Sequence, residues 1–199
     1  MQFRKYIKSV FYIIEGDRVV ILWTIQTKKA YDILLKTGTL ITDPNEISKY
    51  YIQPYQWMIQ QMKQRININT KAEYPLWAWY QWQDSKRKIP DLRYSRHLFK
   101  GEEGVRIEFE IDSNLVLLSD FSTWNFILNG WYLPLNKEDA DKNENLVVDK
   151  EIQKNWERIF DLEWFDEYIN EPKDKKAIQA TFWELKLEGV KRVKEFMAR

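Results

Sequence analysis

The hydrophobic pattern alternates between strand-like and helix-like runs. Residues 18–26, RVVILWTIQ, form a β-rich apolar run, and the polar stretch TKKAYDILLKTG that follows starts with a capping Thr27 and closes at Gly38. TLITD (39–43) reads as a second strand, and Asp43-Pro44 opens a helical region. Tyr55, Met58, Ile59, Met62 and Ile66 recur at helical spacing, predicting one buried stripe on a helix that begins afresh at Pro54. YPLWAWYQW (74–82) is aromatic on both alternating faces, as a central strand would be. VRIEFEI (105–111) alternates apolar and charged residues, the period of a half-buried strand, and NLVLLSD (114–120) is its expected neighbour across the DSN turn. FSTWNFILNG reads as a short helix closed at Gly130, and residues 135–145 as a solvated acidic loop. A helix marked by Ile152, Trp156, Ile159 and Phe160, capped by Asp149, then leads to a last strand, AIQATFWELKL (177–187), and a mixed basic tail.

These elements define an α+β protein: one compact domain over residues 18–199, with a mixed or antiparallel sheet core and flanking helices, preceded by an N-terminal extension, 1–17. Its 44% hydrophobic content is enough for a core. The net charge of +1 removes a general attraction to phosphate backbones and leaves only a local basic patch open. With no cysteine, thiolate catalysis, disulfides and Cys-held metals are out, and a reducing compartment fits. The apolar run VFYII near the N-terminus is too short for a signal peptide and no small-residue cleavage site follows it. No apolar stretch reaches the roughly 18 residues of a membrane span, so a cytoplasmic protein is expected.

The chemistry-bearing residues are few. There is one histidine, and no GxSxG, HExxH or P-loop spacing. Glu108, Glu110 and Asp120 could offer oxygen to a metal, but alternating carboxylates on a strand are its wet face, and no metal is expected. More informative is 74–100, where Trp77, Trp79, Tyr80 and Trp82 precede Arg87, Arg93, Arg96 and His97. Flat rings stack on bases and guanidinium forks hold phosphates, so the mixture suits a nucleotide or a single strand of nucleic acid. His97 is either a general base or a hydrogen-bonded anchor. Gln26, Gln179 and Glu184 stand among apolar residues, where a polar side chain either meets an internal partner or faces a site.

Taken in order, LWTIQ (22–26), YPLWAWYQW (74–82), PDLR (90–93), SRHL (95–98), LLSDF (117–121), WYLP (131–134), WERIFDL (156–162) and IQATFWEL (178–185) resemble domain-of-unknown-function family 3841 over about residues 20–199. The opening strand, helix and glycine turn, ILWTIQTKKAYDILLKTGTL, is also similar to the start of ADP-ribosyltransferase-like domains. That second resemblance implies NAD as cofactor, Trp23 and Gln26 beside the ribose, Tyr80 as stacking ring and Arg93 and Arg96 on phosphate. It further implies Gln179 or Glu184 as the polarising group, with nicotinamide displaced through an oxocarbenium-like ribose. The sequence departs from those enzymes on the first strand, where their Arg or His position falls near Trp23 or Thr24. Two alternatives stand beside a nucleotide-binding enzyme: a module that binds RNA or a modified base without turnover, and a protein-partner binder of antitoxin or phage type. Convergence of residues 23–26, 80, 93–97 and 179–184 on one cleft is what the first reading requires.

Overall fold

The structure is a computed structural model that describes residues 19–143, 146, 149–150 and 152–199. The extension 1–17 lies outside the described residues. Among the described residues, eight strands and four α-helices form a single α+β domain: β1 (Val19–Thr27), α1 (Lys28–Thr37), β2 (Thr39–Leu40), α2 (Ile52–Arg65), β3 (Leu76–Gln81), β4 (Glu103–Asp112), β5 (Leu117–Asp120), α3 (Phe121–Leu128), α4 (Lys137–Lys142), β6 (Ile178–Phe182), β7 (Leu185–Lys186) and β8 (Val190–Met197). The main sheet has six strands in the order β5-β6-β3-β1-β4-β8, all antiparallel, and β2 pairs with β7 apart from it. Among the described residues no helix is long and apolar enough to cross a membrane.

The first helix is set by its caps. Thr27 Oγ1 accepts the Ala30 N–H at 3.1 Å, and Gly38, at φ 75°, donates its N–H to Leu34 O. A Cβ would penalise that left-handed closing residue, which glycine lacks. α1 brings Leu34 onto one face of the sheet, where Val20, Leu22, Leu76, Ala78, Val105, Ile107, Phe109 and Phe182 form the first core, closed by Leu40 of β2 and Leu185 of β7. Truncating Leu22 or Leu34 to Ala should cost about 2–5 kcal/mol.

The other face carries a second core under α2, α3 and the 3-10 segment Ile152–Phe160. There Trp57, Met58, Met62, Trp124, Ile127, Trp156, Ile159 and Trp183 pack on Trp77 and Leu117. Trp77 and Trp79 therefore belong to one face of β3 and Ala78 to the other, which is why this strand is apolar on both sides.

Four expectations are corrected. β4 does not pair with β5: it lies between β1 and β8, while β5 pairs with β6 at the opposite edge. The short link holds a 3-10 turn, Ser113–Leu115, which turns the chain out of register instead of closing a hairpin. The acidic stretch contains α4, capped by Asn136, whose side chain accepts the Asp139 N–H. The apolar run 177–187 divides between β6 and β7, and the basic tail is an edge strand, β8. A register shift beside Lys191 puts Val190 and Val193, three apart, opposite Phe109 and Ile107 on the core side, and this hides the period of two. α2 starts at Ile52, with Pro54 inside its first turn, where a missing N–H costs nothing.

Candidate functional site

Cross-strand pairing lines up one rung over the whole sheet: Ser119, Gln179, Trp79, Trp23, Glu108 and Arg192 are successive Cα partners, so their side chains share a face. Three sequence-predicted positions, Trp23, Trp79 and Gln179, meet here, and Trp23 and Gln179 each donate a hydrogen bond to a neighbour in the rung. Trp23 Nε1 donates to Glu108 Oε2 at 3.0 Å, Arg192 lies 3.9 Å from Glu108, and buried Gln179 donates to Ser119 Oγ at 3.1 Å. The half-buried Trp79 ring meets Phe121 edge-on, centroids 4.9 Å apart. Gln26, three residues beyond Trp23, points to the opposite face. Its amide donates to Thr24 Oγ1 at 2.8 Å, and that hydroxyl donates to Trp77 O.

The loop of residues 84–102 folds back onto the Trp23 side of the sheet. Arg106 donates to Pro90 O at 2.7 Å, and Leu98 and the Phe196 ring occupy the space where Gly104 has no side chain. His97 Nε2 lies 2.9 Å from Asp91 O, with its ring among Trp82, Tyr94 and Phe196. That contact ties residue 97 to residue 91 within the loop. Arg93 is bound to Asp91, whose carboxyl is held well below the usual range by the Arg93 side-chain hydrogen bonds; the same bonds push the guanidinium up. Arg96 is exposed and meets no carboxylate among the described residues.

Tyr80 lies on the other side of β3 from Trp79, packed on the first core, and its ring lines a cleft of about 510 Å³. Ser85, Lys88, Phe165, Lys173 and Ile178 line the same cleft. Lys88 Nζ stands 5.5 Å from the Tyr80 ring centroid, Phe165 is 50% exposed, and Lys173 pairs with Glu163. The cleft wall is held by Gln81, whose amide donates to Lys173 O and Lys176 O, and by the Ser85 N–H on Asp174 O.

Glu184 stands elsewhere, beside a second cavity of about 590 Å³ lined by Lys63, Asn67, Thr70, Lys71, Tyr74 and Trp183. Its carboxylate accepts from Thr70 Oγ1 and pairs with Lys186. Burial pushes this carboxyl up, but the Lys186 and Thr70 hydrogen bonds outweigh it and leave the group below its ordinary value. Trp23, Trp79 and Gln179 thus come together, whereas Gln26, Tyr80, Glu184 and the 93–97 loop occupy separate places.

The model of the family described as a domain of unknown function, DUF3841, matches residues 21–191. The chain belongs to that family. No curated protein matches this DUF3841 chain, and no solved structure does.

One group in this DUF3841 domain gives no sign of itself in the sequence. Lys176 is completely buried, with Nζ 3.0 Å from Asp120 Oδ2 and 3.0 Å from Trp164 O. Asp120 also caps α3 through Ser122, and Asn170 lies 3.5 Å from it. Lys176 closes the polar run KDKK, which reads as solvated, and only the fold over Trp164 takes its ammonium from water. Among the described residues no group of three or more His, Asp or Glu stands where it could hold a metal.

Proposed function

We propose that this DUF3841 domain binds a nucleotide-type ligand in the Tyr80 cleft, the base on the Tyr80 ring and the phosphate toward Lys88 and Lys173. What carries the reading is the pairing of a tyrosine face with a lysine ammonium 5.5 Å from it in a cleft of about 510 Å³. A base entering the cleft replaces Lys88 over the ring and leaves the ammonium at its rim for phosphate. Phe165 supplies a second apolar wall. The volume lies within the range of roughly 300–1,000 Å³ found for small-molecule sites. NAD and ADP-ribose belong to the ligand class.

The geometry supports a binder better than an ADP-ribosyltransferase-like enzyme. Tyr80 lines this cleft, but Gln179 is turned to the opposite face of the sheet and Glu184 is engaged with Thr70 and Lys186. A polarising group must lie within hydrogen-bond reach of the reacting ribose.

Calorimetry with AMP, ADP, ADP-ribose and NAD tests the reading on the wild type and on Tyr80→Leu and Lys88→Ala. Saturable binding that Tyr80→Leu weakens about tenfold or more is expected, since base stacking on an aromatic ring contributes about 1–3 kcal/mol. Absence of heat with all four ligands, or equal binding by Tyr80→Leu, overturns it. Nicotinamide release from NAD that Gln179→Ala or Glu184→Ala abolishes would restore the transferase form.

A further inference from the structure

We infer that the folded-back loop of residues 84–102 is an anchoring surface for single-stranded nucleic acid, centred on its exposed end, residues 94–100, which lies outside the lining of the Tyr80 cleft. Charge is concentrated here. Within 84–102 stand Lys86, Arg87, Lys88, Arg93, Arg96 and Lys100 against three carboxylates, Asp84, Asp91 and Glu102, a local net charge of +3 in a chain whose total is +1. Asp84 and Asp91 are engaged by Arg87 and Arg93 and Glu102 accepts the Phe99 N–H, while Arg96 and Lys100 meet no carboxylate among the described residues.

Beside these cations stand two rings open to solvent, Phe99 at 88% exposure and Tyr94 at 46%. Their backbone is pinned. His97 is tied to Asp91 O, Leu98 fills the space over Gly104, and the Gly101 N–H donates to Ala198 O at 2.9 Å. Gly101 takes the left-handed turn, φ 83°, that brings the chain back into β4. A loop already ordered in the free protein loses little entropy on binding.

Rings interleaved with guanidinium and ammonium groups fit one partner chemistry best. Unpaired bases offer faces for Phe99 and Tyr94, and the phosphates between them offer charge for Arg96 and Lys100. A duplex hides its base faces in the stack. A membrane surface calls for a contiguous apolar wedge, and an acidic peptide has no flat faces for the rings.

Fluorescence anisotropy of a labelled 12-nucleotide oligouridylate, titrated with the full chain over a range of salt, tests the inference. The wild type should bind saturably at about 50 mM salt. The double variant Arg96→Ala/Lys100→Ala should lower the slope of log affinity against log salt by roughly 0.7 for each cation removed. Phe99→Ala should weaken binding about tenfold with the slope unchanged, because it removes a stack and no charge. Tyr80→Leu should bind the oligonucleotide like the wild type, which separates this surface from the cleft. All three sites on the loop are exposed, so unchanged melting temperatures are the control for folding. The inference is overturned by no saturable binding, by binding that neither loop variant alters, or by Phe99-dependent capture on phosphatidylserine vesicles with the oligonucleotide ignored.

Discussion

The ammonium of Lys176 lies 3.0 Å from the carboxylate of Asp120, and the two side chains are almost wholly shut off from water. The pair ties the start of β6 to the N-terminus of α3, because Asp120 accepts the Ser122 N–H with its other oxygen. Removing one partner strands the other charge. Lys176→Met should destabilise the domain by about 3–5 kcal/mol in urea unfolding. The double variant Lys176→Met/Asp120→Asn should lose less than the two single losses added together. Additive losses would show that the charges do not couple.

Gly189 precedes β8 where a Cβ would come within 2.5 Å of the Glu110 carbonyl oxygen. A backbone oxygen cannot swing away as a side chain can. Gly189→Ala should therefore cost about 1–3 kcal/mol, read as a lowered urea midpoint at unchanged slope. A variant as stable as the wild type would mean that the β4–β8 edge yields freely.

Gln179 is held by Ser119 inside the sheet and faces away from the Tyr80 cleft. Gln179→Ala leaves the Ser119 hydroxyl buried without that partner, which should cost about 1–3 kcal/mol of stability. Nucleotide affinity should not change. A stable variant that no longer binds nucleotide would move the ligand to the Trp23 side.

The depressed carboxyl of Glu184 gives a signed dependence on pH. Burial acts against the shift, and the hydrogen bonds from Lys186 and Thr70 overcome it. A folded-state value below the unfolded one means that the stabilisation is present above the ordinary value of 4.5 and is lost as pH falls through the folded value. The melting-temperature difference between the wild type and Glu184→Gln should be largest near neutral pH and shrink below 4.5. A difference that is constant or grows with acidity would refute this linkage.

Much of the candidate chemistry was legible as residue type but not as placement. The Trp and Arg content of 74–100 singles that segment out, and in the fold Tyr80 lines a cleft and Arg96 is exposed, whereas Trp77 packs on the second core. Trp23 and Gln26 could be assigned to one ribose only while the strand was a string of letters; an offset of three residues puts them on opposite faces. Gln179 reads as a polar intruder in an apolar run, and nothing near it in the chain names Ser119, sixty residues away, as its partner. For His97 the residue type offers both an anchor and a base reading, and nothing in the sequence shows that Trp82 and Phe196 stand around its ring.

What the chain determined by itself is local. The Thr27 cap and the Gly38 closure bound α1, the Met58, Met62 and Ile66 spacing buries one side of α2, and the mixture of strand and helix periods makes an α+β domain. These features depend on residues within a turn or two, where capping and periodicity act. Only the tertiary structure decided that β4 lies between β1 and β8, that β5 and β8 are the sheet edges, and that Lys176 is buried. Pairing of distant strands is chosen by which faces can be covered together, and a charge leaves water only where two remote segments close over it.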